Sequence, residues 1–505
     1  MAPDPRTPVL AGVGQVLARP GDTPLVARPE PVDLMADALR AAADDCAGAG
    51  AGARLLARAE SLRVLLPLSW RYVNPALLVA DRLRIDPKEL GLSAIGGNGP
   101  QSLAARSAAD IAEGRVDVVL LTGAECIGTR VAARRDPDRP VLPWTTQAPG
   151  TEEPVLFGTD REPVTETERA RGLDRPLRVF PLFETALRAH LGERPDDHLR
   201  KIAGLWSRFS EVAADNPFAW TTRAYDADEI GTVSEDNRMV SYPYPKRMNA
   251  NDRVDMGAAF ILCSLDAARR AGVPDDRLVF PVAAADAHDH WFLTHRHDLY
   301  SSPAIAAAAR AAFGAAGAGV DDVAHIDLYS CFPCAVEMGA AAVGLPLDDP
   351  SRPLTVTGGL AFAGGPGNNY VSHSIATMAG RLRDEPGALG LVTGLGWYAT
   401  KHAVGLWSSA PPAQPFRHLD VQAEVDAGPQ RAPAGDGDHE GTVEAYTVVH
   451  GRDGRPELGI VAVRTREGAR GWGNVSQPEA MAELMDDEAC GRSVRLGSDG
   501  RVDLR

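Results

Sequence analysis

Two segments of the chain repeat the same order of local patterns, and this duplication limits the possible folds most strongly. Residues 96–125 read GGNGPQSLAARSAADIAEGRVDVVLLTGAE, and residues 364–396 read GGPGNNYVSHSIATMAGRLRDEPGALGLVTGLG. Each segment begins with a Gly-Gly turn, continues as an amphipathic helix of small residues and reaches Thr-Gly in an apolar run. We expect a duplicated α/β fold in which two helix N-termini face one cleft.

The bulk composition limits the partners of the protein. The 505 residues carry a formal net charge of −16, which disfavours nucleic acid and anionic membrane surfaces as partners. No apolar run approaches the ~20 residues that a membrane-spanning helix needs. The six cysteines are few for this length, and no signal peptide precedes the first strand, so we expect a reducing cytoplasm.

The local patterns divide the chain into several expected segments. The region after residue 418 alternates like β-hairpins, one of them around residues 451–454, and predicts a small β domain. The expected segments are 1–127 (first half), 128–247 (inserted loop domain), 248–275 (return to the first half), 276–408 (second half), 409–418 (linker) and 419–505 (β domain).

The inserted segment is rich in arginine. Arg130 and Arg134, together with Arg135 and Arg139, are candidates for contacts with phosphate groups of an anionic ligand. The alternative is a charged loop that only contacts solvent. The pair Cys331 and Cys334 has the spacing of a redox or zinc motif, but no second pair accompanies it, and we expect no metal site.

Several pieces of the sequence together resemble a known family. These pieces are GPQSLAARSAADIAEGRVDVVLLTGAE, the NPFAW run at Asn216, VDMGAAFILCS, DLYSCFP and GGLAFAGGPG. They resemble the SCP2-thiolase-like branch of the thiolase superfamily over residues 7–408. The β region after the linker resembles the extra C-terminal domain of actinobacterial thiolase-like proteins of type 1, many of them labelled acetyl-CoA acetyltransferase.

The resemblance implies a fold class and a ligand. The fold is α/β, a duplicated five-layered αβαβα thiolase fold with an inserted loop domain and a small, OB-like C-terminal β domain. The implied substrate or ligand is CoA or an acyl-CoA, with no tightly bound cofactor, and the implied activity is acyl transfer of the acetyl-CoA acetyltransferase type in lipid metabolism. A homodimer, a monomer and a complex with a partner protein all stay open.

The resemblance also locates the family's catalytic positions, and here they lack the catalytic side chains. The nucleophilic Cys at the start of the first repeat's helix is replaced by Gly97, or by Asn98 if the register shifts. The activating His is replaced by Gly365, and the acid/base Cys by Gly394. The oxyanion-binding His is replaced by Tyr329. Without nucleophile and base, no acyl-Cys intermediate is expected.

The glycines at these positions lead to two further expectations. Backbone N–H groups at Gly97, Gly365 and Gly396 are candidates for binding a thioester oxygen. The loss of bulk at three facing positions is expected to widen the pocket. The ligand-binding candidates are Asn98, Gly364, Gly396, Arg130 and Arg134.

Three residues are candidates for an alternative chemistry. Tyr329 can donate to an oxyanion or, with a lowered pKa, accept a proton, as the steroid-side-chain aldolases of this branch use tyrosines. His373 is a candidate base if it faces the cleft, and Cys331 a displaced nucleophile, with Cys126 a weaker one. The alternatives are a core tyrosine and a histidine that only packs. Lys401 and His402 are expected on a surface strand at the cleft mouth.

Three functions are therefore compatible with the sequence. The first is an acyltransferase of the thiolase type, and the second is a C–C lyase (retro-aldolase) that acts on a CoA thioester through Tyr329. The third is a non-catalytic subunit that binds CoA or a lipid ester.

Overall fold

The chain folds around two sheets that enclose a layer of helices, followed by a third sheet. The computed structural model describes residues 4–21 and 23–505. In the first half and the insertion the elements are β1 (Pro8–Leu17), α1 (Pro31–Asp45), α2 (Ala51–Ala57), β2 (Ser61–Val64), α3 (Pro75–Leu83), β3 (Glu89–Ser93), α4 (Gly99–Ala112), β4 (Val118–Cys126), α5 (Ile127–Arg135), β5 (Val155–Phe157), α6 (Glu166–Ala170), α7 (Pro176–Leu191), α8 (Pro195–Asp215), α9 (Ala227–Gly231), β6 (Met239–Ser241), β7 (Tyr244–Pro245), β8 (Asp255–Ser264) and α10 (Leu265–Ala271).

The second half and the C-terminal region continue the same alternation and then change to antiparallel strands. Their elements are β9 (Phe280–His288), α11 (Pro303–Ala316), β10 (Val323–Asp327), α12 (Pro333–Val343), α13 (Gly359–Phe362), α14 (Tyr370–Asp384), β11 (Leu389–Gly396), β12 (Lys401–Ser408), β13 (Arg417–Asp420), α15 (Gln422–Asp426), β14 (His439–His450), β15 (Pro456–Thr465), β16 (Arg470–Val475), α16 (Pro478–Asp486), β17 (Ser493–Leu496) and β18 (Val502–Leu504).

Each duplicated segment supplies a helix to the central layer and a strand to one sheet. The first sheet has the strand order β1-β8-β4-β2-β3-β5, and the second has the order β10-β11-β12-β9-β13. Helix α4 contacts β4 and β8 of the first sheet and β11 and β9 of the second, and α14 contacts α4, β8 and β11. Helix α1 packs on the first sheet and α11 on the second. The layered, duplicated α/β fold expected from the sequence is confirmed.

Small residues allow the two central helices to lie against the sheets. The β4 strand is buried along its whole length, as are β8 and β12, because helices cover both faces of the sheets. In α4 the buried face is made largely of alanines and Leu103, and α14 adds Val371 and Ile375. This packing brings the N-terminal ends of α4 and α14 to the boundary between the halves.

The C-terminal region forms a separate antiparallel sheet. Its order is β16-β15-β14-β17-β18, and β14 and β15 form the hairpin expected around residues 451–454. The insertion contributes to this sheet, because Ser241 of β6 pairs with Val449 of β14. Helix α7 of the insertion also contacts β14, where the Arg188 guanidinium donates to the Tyr446 hydroxyl at 2.6 Å.

Among the helices of residues 4–21 and 23–505, none is both long and apolar enough to cross a bilayer.

Candidate functional site

The two duplicated turns meet at one place, and side chains of the second turn bond to the first half. The Gly96 N–H donates to Asn368 Oδ1 at 2.8 Å, and Asn368 Nδ2 donates to the Leu66 carbonyl at 2.8 Å. Asn369 Nδ2 donates to the Gly123 carbonyl at 2.6 Å. The two helix N-termini therefore lie around one site, as the duplication predicted.

Tyr329 fills the space beside Gly97, the position that the resemblance assigns to the nucleophile. A Cβ on Gly97 would overlap the Tyr329 hydroxyl oxygen and lie 2.7 Å from Tyr329 Cζ. It would also lie 2.6 Å from the Leu395 carbonyl oxygen. No side chain larger than a hydrogen atom fits at Gly97 while Tyr329 keeps this position.

The expected widening of the pocket is wrong at two of the three glycines. A Cβ on Gly394 would lie 2.9 Å from Asn98 Cα, because the α4 N-terminus packs directly on β11. At Gly365 the nearest atoms to a Cβ are the Asn251 carbonyl oxygen at 3.4 Å and Ala250 Cβ at 3.6 Å, which is ordinary contact. At Gly97 and Gly394 the surrounding atoms pack directly against the glycine and leave no open space.

The expected oxygen-binding role of the Gly365 backbone is also wrong. Its N–H group already donates to the Asn251 carbonyl at 2.8 Å. The turn at Gly365, where the resemblance places the activating His, is thus hydrogen-bonded to the segment that precedes β8. An incoming thioester oxygen would have to displace this bond.

The surroundings of Tyr329 make it a hydrogen-bond donor. The side chain is 8% exposed, and its ring packs edge-on against Tyr370 with 5.7 Å between centroids. Burial raises the pKa of Tyr329 well above its usual value, with further contributions from Cys331 and Tyr370. The lowered pKa that a base would need is therefore contradicted, and the hydroxyl stays protonated near neutral pH.

Lys401 lies at the same site, which corrects the expectation of a surface strand. It begins β12, which lies between β11 and β9, and its side chain is 8% exposed. Its ammonium group donates to the Ile95 carbonyl, and Lys401 Cε would lie 3.1 Å from a Cβ on Gly396. Burial lowers the pKa of Lys401 to about 8. His402 is buried too and hydrogen-bonds Asp289 at 3.1 Å.

Asn98 stands at the start of α4, beside Lys401. Its Nδ2 donates to Ser102 Oγ at 3.1 Å, whereas its buried Oδ1 has no hydrogen-bond partner within the described residues. A Cβ on Gly396 would overlap this Oδ1 atom. The candidate residues Asn98 and Gly396 therefore touch each other, and Asn98 presents a free acceptor toward the site.

The candidate thiols have no activating neighbours. Cys331 and Cys126 are both buried, and burial raises the pKa of each well above the usual thiol value. Near Cys126, Asp255 and Glu125 raise the pKa further. Near Cys331, backbone N–H groups lower the pKa by less than burial raises it, and among the described residues neither sulfur has the nearby cation that would hold a thiolate.

His373 lies between α14 and β1. Its Nδ1 atom is 2.8 Å from Gln15 Oε1, and burial alone lowers the pKa of the imidazole to about 3. Gly364, another candidate, has a φ of 111° and packs against Met256, where a Cβ would lie 2.8 Å from the sulfur. His373 therefore bonds to β1, and Gly364 packs against Met256 and Val254, whereas Tyr329 packs against Gly97.

Arg130 lines a groove beside the site. This groove has a volume of about 520 Å³ and is lined by Leu66, Leu68, Arg71, Arg130 and neighbouring residues. Leu66 is the residue whose carbonyl accepts from Asn368. Burial, and then Arg134, lower the pKa of Arg130, which indicates that the two arginines are close. Across the described part of the chain, no carboxylate forms an ion pair with Arg71, Arg130 or Arg134.

Glu125 was not predicted, although it ends the first repeat. Its carboxylate accepts from the Leu68 N–H at 2.6 Å and from the Ser69 N–H at 2.7 Å. Burial raises the pKa of Glu125 to about 7. A Cβ on Gly367 would overlap its Oε1 atom, so Glu125 touches the second repeat's turn. A single carboxylate at the end of an apolar strand is the sequence signal for such a residue.

Comparison with known proteins gives one match to a family model and several to solved structures. The model of the thiolase-like protein type 1 additional C-terminal domain matches residues 420–501. A monomeric SCP2-thiolase-like protein type 1 from Mycobacterium smegmatis is 33% identical, with 99% of this chain and 100% of that chain covered and a TM-score of 0.85. Among curated proteins, no sequence matches the chain.

More distant structures share the fold. An Ltp2–ChsH2(DUF35) aldolase is 16% identical and has a TM-score of 0.58, with 80% of this chain and 98% of that chain covered. Human mitochondrial 3-ketoacyl-CoA thiolase, solved in complex with CoA, is 16% identical and has a TM-score of 0.55, with 80% and 99% covered. At this identity the similarity concerns the fold alone.

Proposed function

The chain belongs to the SCP2-thiolase-like proteins of type 1, and from this premise we propose that it binds a CoA thioester and forms no acyl-cysteine. The proposal that the chain binds CoA rests on the groove beside Leu66. Its volume of about 520 Å³ lies within the range of small-molecule sites. Arg71 and Arg130 supply positive charge in a chain whose net charge is −16.

The arginines of the groove would bind the phosphates of CoA. A guanidinium without a carboxylate partner is available for the paired hydrogen bonds that phosphate oxygens accept. Arg130 and Arg134 repel each other, and an anion between them would remove that repulsion. The pantetheine arm would then run past Leu66 toward Gly96, since Asn368 bonds to both residues.

The absence of acyl-cysteine chemistry follows from the site around Gly97. Tyr329 occupies the space where a nucleophile's side chain would begin. The buried thiols of Cys331 and Cys126 have raised pKa values and are protonated at neutral pH. A double-displacement acyl transfer therefore has no nucleophile at this site.

A C–C lyase is the second candidate, favoured by the placement of Tyr329 and Lys401. In a β-hydroxyacyl thioester, the neutral amine of Lys401 would take the hydroxyl proton as the Cα–Cβ bond breaks and a carbonyl product forms. The Tyr329 hydroxyl would donate to the oxygen of the resulting thioester enolate. Proton return from Lys401 to Cα would release the shorter acyl-CoA. The pKa of Lys401, about 8, suits this exchange near neutral pH.

Thermal unfolding with CoA and acetyl-CoA tests the binding proposal. Saturating CoA is expected to raise the Tm by a few degrees, because a ligand that binds only the folded chain stabilises it. Arg130→Ala combined with Arg134→Ala should remove most of this shift. Arg58→Ala is the matched control, since Arg58 is exposed and does not line the groove. An unchanged Tm in millimolar CoA would refute CoA binding.

Mass spectrometry and product analysis of the same samples separate the chemistries. No stable acetyl adduct is expected after incubation with acetyl-CoA, and a thiol-sensitive adduct on a cysteine would overturn that part of the proposal. Cleavage of a β-hydroxyacyl-CoA, lost in Tyr329→Phe and in Lys401→Met, would establish the lyase instead. Saturable binding without turnover would identify a non-catalytic binding protein.

A further inference from the structure

A second cluster of polar side chains is buried between α7, α8 and α12, outside the site around Gly97. It consists of Glu184, His198 and Glu337, which are 0%, 1% and 2% exposed. One ligand atom of each residue, a carboxylate oxygen or an imidazole nitrogen, lies within 4.8 Å of the others. Three convergent N and O donors at this burial are the composition of a transition-metal site.

The imidazole of His198 is held in the orientation that a metal ligand needs. Its Nδ1 atom is 2.5 Å from Glu193 Oε2 on the solvent side. Its Nε2 atom faces inward, 2.5 Å from Glu184 Oε1 and 3.9 Å from Glu337 Oε2. A carboxylate that binds the outer nitrogen of a histidine is the usual second-shell partner of a metal-binding imidazole.

Glu337 provides the independent observation. Both carboxylate oxygens of Glu337 are buried; Oε2 accepts no hydrogen bond from any residue that the structure describes, whereas Oε1 has the Lys201 ammonium as its partner. The cation near them is the ammonium of Lys201, 3.1 Å from Oε1, whose side chain is 33% exposed. Two buried carboxylates side by side need a cation between them or a shared proton.

We propose that Glu184, His198 and Glu337 bind one divalent transition-metal ion, with Zn²⁺ the best fit. The ion would bind His198 through Nε2 and each carboxylate through one oxygen, and a water molecule would complete its four-fold coordination. Its two positive charges balance the two carboxylates, with neutral histidine as the third ligand. Lys201 then moves toward Glu193, whose carboxylate oxygens already lie 3.0 and 3.1 Å from its ammonium.

The position of this site suggests a structural role. Glu184 lies on α7 and His198 on α8 of the insertion, whereas Glu337 lies on α12 of the second half. Helix α12 begins at Pro333, directly after the loop that carries Tyr329. A bound ion would tie the insertion to the helix that fixes this loop. The Tyr244 hydroxyl, which donates to Glu184, extends the same connection to β7.

Metal analysis of the full-length chain tests the site directly. After removal of metal with a chelator, Zn²⁺ titration is expected to give about one bound equivalent and a higher Tm. Glu337→Gln keeps the shape of the side chain and is expected to weaken Zn²⁺ binding by about tenfold or more. Glu211→Gln is the matched control, because Glu211 is an exposed residue of α8 and should leave binding unchanged.

A substitution at Lys201 separates a metal site from a network of ion pairs. If the ion binds as proposed, Lys201→Met removes a competing cation and Zn²⁺ restores the Tm of the variant. If Lys201 is the permanent counterion, the variant loses stability and Zn²⁺ does not restore it, which would overturn the proposal. Failure of the unmodified chain to bind Zn²⁺ or Mn²⁺, or equal Zn²⁺ binding by Glu337→Gln, would overturn it as well.

Discussion

The two duplicated units share a backbone pattern but use their polar side chains differently. Both begin at a glycine with positive φ, 150° at Gly96 and 111° at Gly364, and both continue into a central helix. In the second unit, Asn368 and Asn369 bond to backbone groups of the first half. In the first unit, Asn98 leaves its buried Oδ1 without a partner among the described residues.

A buried carboxylate that precedes the second unit also bonds to the helix of that unit. Asp327, at the end of β10, accepts from Ser374 Oγ at 2.6 Å and from the Tyr370 hydroxyl at 3.2 Å, both on α14. Thr355 and Thr357 bond to its other oxygen at 2.9 and 3.0 Å. Helix α14 of the second unit is therefore tied to β10 by a buried carboxylate with several donors.

Substitution of Asp327 is the strongest test of this difference. Asp327→Ala is expected to lower the free energy of unfolding by about 3–5 kcal/mol, because several buried donors lose their charged acceptor together. Asn98→Ala in the first unit should change it by less than about 1 kcal/mol, since it removes one bond and one unpaired acceptor. Denaturant unfolding followed by circular dichroism measures both.

A matched substitution on α14 controls for the loss of an aspartate. Asp384 is exposed at the end of the same helix, and Asp384→Ala should change the unfolding free energy by less than about 0.5 kcal/mol. Similar losses for Asp327→Ala and Asn98→Ala would contradict the division of roles between the two units.

The strand ends of the two units are expected to differ in their response to pH. The pKa of Glu125 is raised to about 7 by burial, whereas the corresponding end of β11 carries only Gly394, Leu395 and Gly396. The folded chain binds the Glu125 proton more tightly than the unfolded chain. The stabilisation that comes from this tighter proton binding at Glu125 is fully present below about pH 4.5, and it is lost as the pH rises to about 7.

Comparison with Glu125→Gln isolates this contribution. Between pH 5 and 7, the unfolding free energy of the unmodified chain should fall more steeply than that of the variant, by up to about 1.4 kcal/mol per pH unit for one proton. The variant loses one acceptor for the backbone of Leu68 or Ser69, so its absolute stability is lower throughout. Parallel pH curves for the two proteins would show that Glu125 is ionised in the folded chain across this range.

Much of the fold was predictable because its signals are local. Glycine turns, a small-residue helix and an apolar strand lie within about thirty residues in each unit, and the hairpin of β14 and β15 has its turn between the two strands. Such patterns specify the elements and their order. The family resemblance then gave the layers, which the relative from Mycobacterium smegmatis confirms. The catalytic positions that it assigns to Gly97, Gly365 and Gly394 stay a prediction.

The packing at the site was not predictable from these patterns. Lys401 and His402 looked like surface residues because charged side chains are usually exposed. In the structure, however, β12 is a central strand that pairs with β11 on one side and with β9 on the other. The sequence gives no sign that the Tyr329 hydroxyl fills the space beside Gly97, since the two residues meet only in the folded chain. Glu184, His198 and Glu337 come from three helices. In the sequence, each of the three appears only as a lone polar residue, and this pattern does not show which residues lie together in the fold.

The family's catalytic positions in the two turns supply the smallest and most direct test. Gly97→Ala is expected to lower the unfolding free energy by about 1–3 kcal/mol, because its Cβ overlaps Tyr329 and lies 2.6 Å from the Leu395 carbonyl. Gly365→Ala should cost less than about 1 kcal/mol, because its Cβ has ordinary contacts and its φ is not positive. On a Tyr329→Ala background the cost of Gly97→Ala should fall, with the Leu395 contact setting the remainder. Equal costs at both glycines, or no coupling to Tyr329, would mean that Tyr329 does not occupy the nucleophile's place.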